Sequence, residues 1–173
     1  MYVEDLRELV IRPILISLGE WSCSIENLLL GTAAQESQLG FKMQSCQDNQ
    51  RGLYRISPLT HIEVWDQYLV KDPELASNLR GLASQQQFLK SPHAELITNL
   101  GYATGIAWMI YRRHQPVLSE NADPQELAKY WVDYYCSRET SHMQSMRNEQ
   151  NKMNRFIKNF NKLVLCEKKG MAA

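Results

Sequence analysis

Apolar positions along this chain recur at three- and four-residue spacing, and no run alternates in the way a half-buried strand requires. "LITNLGYATGIAWMIYRR" places Ile97, Leu100, Thr104, Ala107 and Tyr111 on one helical face, and "ELAKYWVDYY" gathers Leu127, Tyr130, Trp131 and Tyr134. The same spacing predicts a first helix over 4–18, another over 26–39 and a last one over 143–164. Ser57-Pro58, Asp72-Pro73, Ser91-Pro92 and Asp123-Pro124 punctuate the rest. In each, a side-chain oxygen able to cap free N–H groups precedes a proline with no N–H to lose, which marks a helix start. Glu126, three positions after Asp123, predicts a capping box. The sum is an all-α chain of about seven helices. Gly31, Gly101 and Gly105 fall inside helical patterns, where each costs about 1 kcal/mol relative to alanine, so close helix packing is expected there.

At 173 residues the chain is read as a single domain over 1–173, with its motifs in 24–140 and an amphipathic basic helix over 141–165. The irregular stretches 42–52 and 115–122 are too short and varied to link domains. Lys plus Arg and Asp plus Glu balance at 19 each, so no net charge draws the chain to nucleic acid or an anionic membrane. Locally, Lys152, Arg155, Lys158, Lys162, Lys168 and Lys169 make the C-terminal segment basic, which reads as a solvated helix face. Met143, Met146, Met153, Phe156, Ile157, Phe160 and Leu163 form its apolar side and are expected to pack on the core. Trp65, Trp108, Trp131, Tyr102, Tyr111 and Tyr130 are read as core as well.

Cys23, Cys46, Cys136 and Cys166 lie far apart with no C-x-x-C pair, and are expected as free thiols of a reducing compartment. His61, His93, His114 and His142 show no i, i+4 pair, so no metal and no cofactor is expected. The acidic start lacks the basic region of a signal peptide, and nothing approaches the roughly 18 to 20 apolar residues of a membrane span. Synthesis in a cytoplasm without a signal peptide is the corresponding expectation.

One acid stands out against this pattern. "LLLGTAAQESQLG", residues 28–40, is an apolar helix that carries Glu36 just before its glycine stop. There a carboxylate meets both the negative helix end and poor solvation, and both raise its pKa. A glutamic acid kept protonated near neutrality suits the donation of a proton to a glycosidic oxygen. The plainer alternative is a solvated glutamate in a last helical turn. Asp48 and Glu63 are the candidates for a second carboxylate; Asp48 sits in a polar loop and Glu63 on an amphipathic helix, and both read as solvated.

The order of motifs after Glu36 adds a resemblance. "AAQESQLG" resembles the E-S-x-x-G signature of goose-type lysozymes and lytic transglycosylases, and "GLYRISP" resembles their G-L-M-Q-I-x-P segment. Together with "LAKYWVDYYCSRET", these stretches are similar to small lysozyme-like proteins of tailed phages and prophages. The resemblance implies a lysozyme-like fold and a peptidoglycan-cleaving lytic transglycosylase or muramidase. In that chemistry one glutamate protonates the bond between N-acetylmuramic acid and N-acetylglucosamine, then takes a proton from the muramic acid 6-hydroxyl.

Residue by residue, the resemblance makes Glu36 the catalytic acid and Ser37 the hydroxyl that positions glutamate or sugar. Tyr54 and Arg55 stand at the methionine and glutamine that line the family cleft, and Tyr135 at a tyrosine that reaches the glutamate or the sugar. Arg55 replaces a glutamine and Cys136 an asparagine. A cation at 55 would either hold Glu36 ionised and disable it, or grip a carboxylate of the glycan. The implied partners are peptidoglycan strands and other tail or baseplate proteins, with the protein virion-borne or delivered to the cell wall. Alternatives are a non-catalytic tail or baseplate component and a carbohydrate-binding module.

Overall fold

Side-chain caps set where most of the helices begin. The computed structural model describes residues 1–43, 49–115, 117–136 and 145–165. Among them, Ser22 Oγ accepts from Ile25 N (3.2 Å), Ser57 Oγ from Thr60 N (3.0 Å) and Asp72 Oδ1 from Leu75 N (3.0 Å). Asp123 Oδ1 accepts from Gln125 N and Glu126 N, both at 2.8 Å. The described helices are α1 (3–17), α2 (Cys23–Ser37), α3 (58–71), α4 (Pro73–Leu82), α5 (Gln85–Lys90), α6 (92–98), α7 (Leu100–Arg112), α8 (124–136) and α9 (145–165). Helix occupies 75% of the described residues and the single strand-like pairing is an isolated bridge, so the class is all-α. No described helix is long and apolar enough to cross a membrane.

The structure has more helical segments than the pattern suggests, for local reasons. The helix expected through 97–113 is divided at Asn99, whose backbone is extended and whose Oδ1 accepts from Tyr102 N at 3.0 Å. Asn side chains compete with helical bonding in this way, and the break leaves Ile97 41% exposed instead of on the buried face of α7. Ser91-Pro92 opens only a short 3₁₀ turn without a side-chain cap. Glu126 does not close a capping box: its carboxylate accepts from Ser119 N (3.0 Å) and Ser119 Oγ (2.7 Å), tying down the preceding loop.

α2 forms the axis of the core. Leu28, Leu29, Leu30, Ala33 and Ala34 are fully buried, and α1, α7, α8 and α9 pack around them. Glycine permits the closest approaches. A Cβ at Gly31 would lie 2.4 Å from the Phe156 ring of α9, and one at Gly105 would lie 2.5 Å from Leu79 of α4. The final helix thus packs on the core through Phe156 and Phe160, while Arg155, Lys158 and Lys162 are exposed. Trp108, Trp131, Tyr102 and Tyr111 are buried as expected; Trp65 and Tyr130 are only partly so.

Ahead of α3, residues 51–56 make a tight turn. Arg51 and Ile56 exchange backbone bonds of 3.1 and 3.0 Å. Gly52 has φ +76° and lies so close to α6 that a Cβ would come 1.7 Å from the Leu96 carbonyl oxygen. Arg55 adopts φ +48°, a left-handed conformation uncommon for a residue with a Cβ. Asp48, Cys46, His142, Met143, Cys166, Lys168 and Lys169 lie outside the described residues.

Candidate active site

The last turn of α2 delivers Glu36 to a cleft of about 380 Å³. The helix stops immediately afterwards because Gln38 and Leu39 turn left-handed, at φ +54° and +57°. Ser37 closes that end: its Oγ donates to Ala33 O (3.2 Å) and accepts from Gly40 N (2.9 Å). The other walls come from the turn (Gln50, Arg55, Ile56), the start of α3 (Leu59, Thr60, Glu63), the end of α7 (Ile110, Arg113) and the end of α8 (Tyr135, Cys136).

Glu36 is partly exposed to this cleft and otherwise enclosed. Its Oε1 accepts a hydrogen bond from Trp131 Nε1 at 2.9 Å. Burial pushes its carboxyl up to about 7, against the opposing influence of the Trp131 N–H and of the Arg55 and Arg155 charges. Among the described residues no ion pair within 4.0 Å joins Glu36 to Arg55, so the cation biases the acid without clamping it. Trp131 is itself fixed, its ring stacking on Phe156 at 5.6 Å in the space that Gly31 leaves open. The end of α8 from Trp131 to Cys136 winds as a wider π-type turn, and that turn supplies Trp131, Tyr135 and Cys136 to the site.

Of the residues expected at the substrate, Glu36, Arg55 and Tyr135 line the cleft together. Ser37 and Tyr54 do not. Ser37 is fully buried and occupied at the helix end, and Tyr54 points into the core, where its hydroxyl meets Thr104 Oγ1 at 3.1 Å. The turn thus places Arg55 in the cleft wall and Tyr54 in the core. Tyr135 keeps its place in the wall, but its hydroxyl donates to the Tyr54 carbonyl (2.8 Å) and its ring stacks on Tyr111 (5.3 Å). It holds the turn rather than the acid.

The sequence named Glu63 as a candidate second carboxylate and left Arg113 unread. Glu63, expected in solvent, lies in the wall with its side chain 19% exposed and its carboxylate 4.0 Å from Arg113 Nη1. Arg113, the residue that follows α7, is 14% exposed and burial lowers its pKa. The signal was present in α3: Leu59, Thr60 and Glu63 share a helical stripe that begins at the Ser57 cap.

Behind the α3 wall lies a second polar cluster. Trp65 Nε1, a donor only, bonds Tyr102 Oη at 2.8 Å, so the Tyr102 hydroxyl donates to His61 Nε2 at 2.6 Å. His61 then carries its hydrogen on Nδ1 and donates to His93 Nδ1 at 2.9 Å. Burial, then the neighbouring His93, pushes His61 down to about 4. The scattered histidines of the sequence therefore include one contacting pair. Among the described residues no group of three or more His, Cys, Asp or Glu is placed to hold a metal ion.

No protein family, curated protein or solved structure matches the chain.

Proposed function

We propose that this protein cleaves a glycosidic bond of a peptidoglycan-type glycan, with Glu36 as the general acid. The observation that carries the reading is a glutamic acid with a pKa near 7, opening on a cleft and hydrogen-bonded by a buried tryptophan. An acid poised near the operating pH is what protonating a leaving oxygen requires. The motif order around Glu36 and Arg55 supports peptidoglycan as the substrate class and a tailed phage or prophage as the setting. Such a protein would act as part of a virion or after delivery to the cell wall.

A second reading is favoured by Arg55. Its charge opposes the protonated state of Glu36 from within the same cleft, as expected of a tail or baseplate component that keeps the fold without the reaction. Digestion of purified peptidoglycan separates the two. Wild type is expected to release soluble muropeptides, and Glu36→Gln none, with products identified by mass spectrometry. Equal release by both, or by neither, counts against Glu36 as the acid.

A further inference from the structure

Among the described residues, two carboxyl groups line the cleft, and their surroundings differ in kind. Glu36 comes from the end of α2, is largely enclosed and, among the described residues, takes an N–H from Trp131. Glu63 comes from α3 and sits 4.0 Å from a guanidinium that is itself mostly buried. A cation at that range favours the ionised carboxylate, while enclosure favours the neutral one. Two acids in one site with environments pushing them apart are the arrangement that divides acid from base. Among the other described lining residues there are few rivals for the base. Arg55 and Arg113 are permanent cations without an acceptor. Tyr135 donates its hydroxyl hydrogen to the Tyr54 carbonyl, and among the described lining residues the remaining titratable group is Cys136. The cleft volume falls within the range of about 300–1,000 Å³ that small-molecule sites occupy.

We infer that Glu63, set by Arg113, is the base that activates a water molecule in this cleft, so that the enzyme hydrolyses its glycan rather than closing an anhydro ring. The inference rests on the proposed role of Glu36. In the step, the Glu36 carboxyl gives its proton to the glycosidic oxygen as the bond from that oxygen to the anomeric carbon breaks. Water adds to that carbon and passes a proton to Glu63. One bond breaks, one forms, and Glu36 ends ionised and Glu63 protonated; exchange with solvent restores both. Arg113 is a positioning residue here.

The test is digestion of purified peptidoglycan by the full chain, with products sorted into reducing and anhydro ends and kcat/KM followed against pH. Wild type is expected to release reducing ends. E63Q should lose about 10²–10⁴-fold of that activity together with the acid limb of the profile. R113Q should keep the limb and move it to higher pH, because the Glu63 carboxylate loses a neighbouring cation. A merely structural role for Glu63 would lower the rate and leave the limb where it was, which overturns the inference, as does full hydrolytic activity in E63Q. Release of anhydro ends alone by wild type overturns the inference while Glu36 as acid stands. No cleavage by wild type removes both. Should E63Q fail to fold by circular dichroism, E63D is measured instead: a shifted limb supports the base, and an unmoved one overturns it.

Discussion

Glu26 and Glu36 share α2, and the fold treats their charges oppositely. Glu26 lies in the first turn, where a negative charge is favoured. It is buried, which alone would raise its pKa, but donors from Arg12, Trp21 and Arg7 more than offset this and hold it below the ordinary range. Glu36 sits at the disfavoured end with one neutral donor. Two variants follow from that difference. Trp131→Phe keeps the ring stacked on Phe156 and removes the N–H, so the Glu36 pKa should rise above about 7. Arg55→Gln removes an opposing charge and should move it the same way. A carboxyl-carbon NMR titration reads both. A Glu36 that titrates unchanged in either variant would show that the indole or the guanidinium exerts no hold on it.

At the scale of elements, most helix starts were legible because a cap is a local matter of one side chain and the next three residues. Ser57, Asp72 and Asp123 needed nothing from the rest of the chain. The division at Asn99 was not legible, since Asn is tolerated in helices and only the docking of α6 and α7 decides for the cap. Nor was the cleft membership of Glu63, which depends on how α3 crosses the end of α7. Glu36 was legible because an acid at an apolar helix end is unusual and the motif order after it singled it out, whereas Ser37 and Tyr54 were misplaced by carrying the motif positions of the resembled family onto this chain.

The glycines give the element-scale test. Gly31→Ala gains about 1 kcal/mol of helix propensity, yet its Cβ must displace Phe156 from 2.4 Å and disturb the ring behind Trp131. A net loss of about 1–3 kcal/mol is expected, read by urea unfolding. Gly52→Ala should cost at least as much, because its neighbour at 1.7 Å is the Leu96 backbone oxygen and φ +76° is strained for alanine. Unchanged stability in Gly31→Ala would mean that α9 does not seat Phe156 on α2.

Over the whole molecule, two buried groups make opposite demands on pH. Glu36 titrates near 7 in the folded chain against an ordinary 4.5. Between those values the unfolded chain releases the proton first, so stability falls as pH rises, by about 3 kcal/mol in all. His61 titrates near 4 when folded against an ordinary 6.5. Between those values the unfolded chain takes up the proton first, so stability falls as pH drops, by a similar ~3 kcal/mol. From about 4.5 to 6.5 these two contributions oppose each other in the wild type. Each should emerge when the other is removed. Glu36→Gln keeps an acceptor for the Trp131 N–H, and should be more stable than wild type above pH 7 and indistinguishable from it below 4.5. Its own curve should rise from pH 4 to 6.5. His61→Gln breaks a buried network and loses stability overall, so its informative quantity is slope: between pH 4.5 and 7 its stability should fall with rising pH more steeply than that of wild type. The charged neighbours of the histidine pair, Arg51 beside His93 and Arg80 and Glu95 beside Tyr102, are kept in both variants. Urea unfolding at half-unit pH steps measures all three curves. A Glu36→Gln protein that tracks wild type at pH 8 would mean that the glutamate is ionised at no cost in the fold, and the acid proposed for the cleft would lose its physical basis.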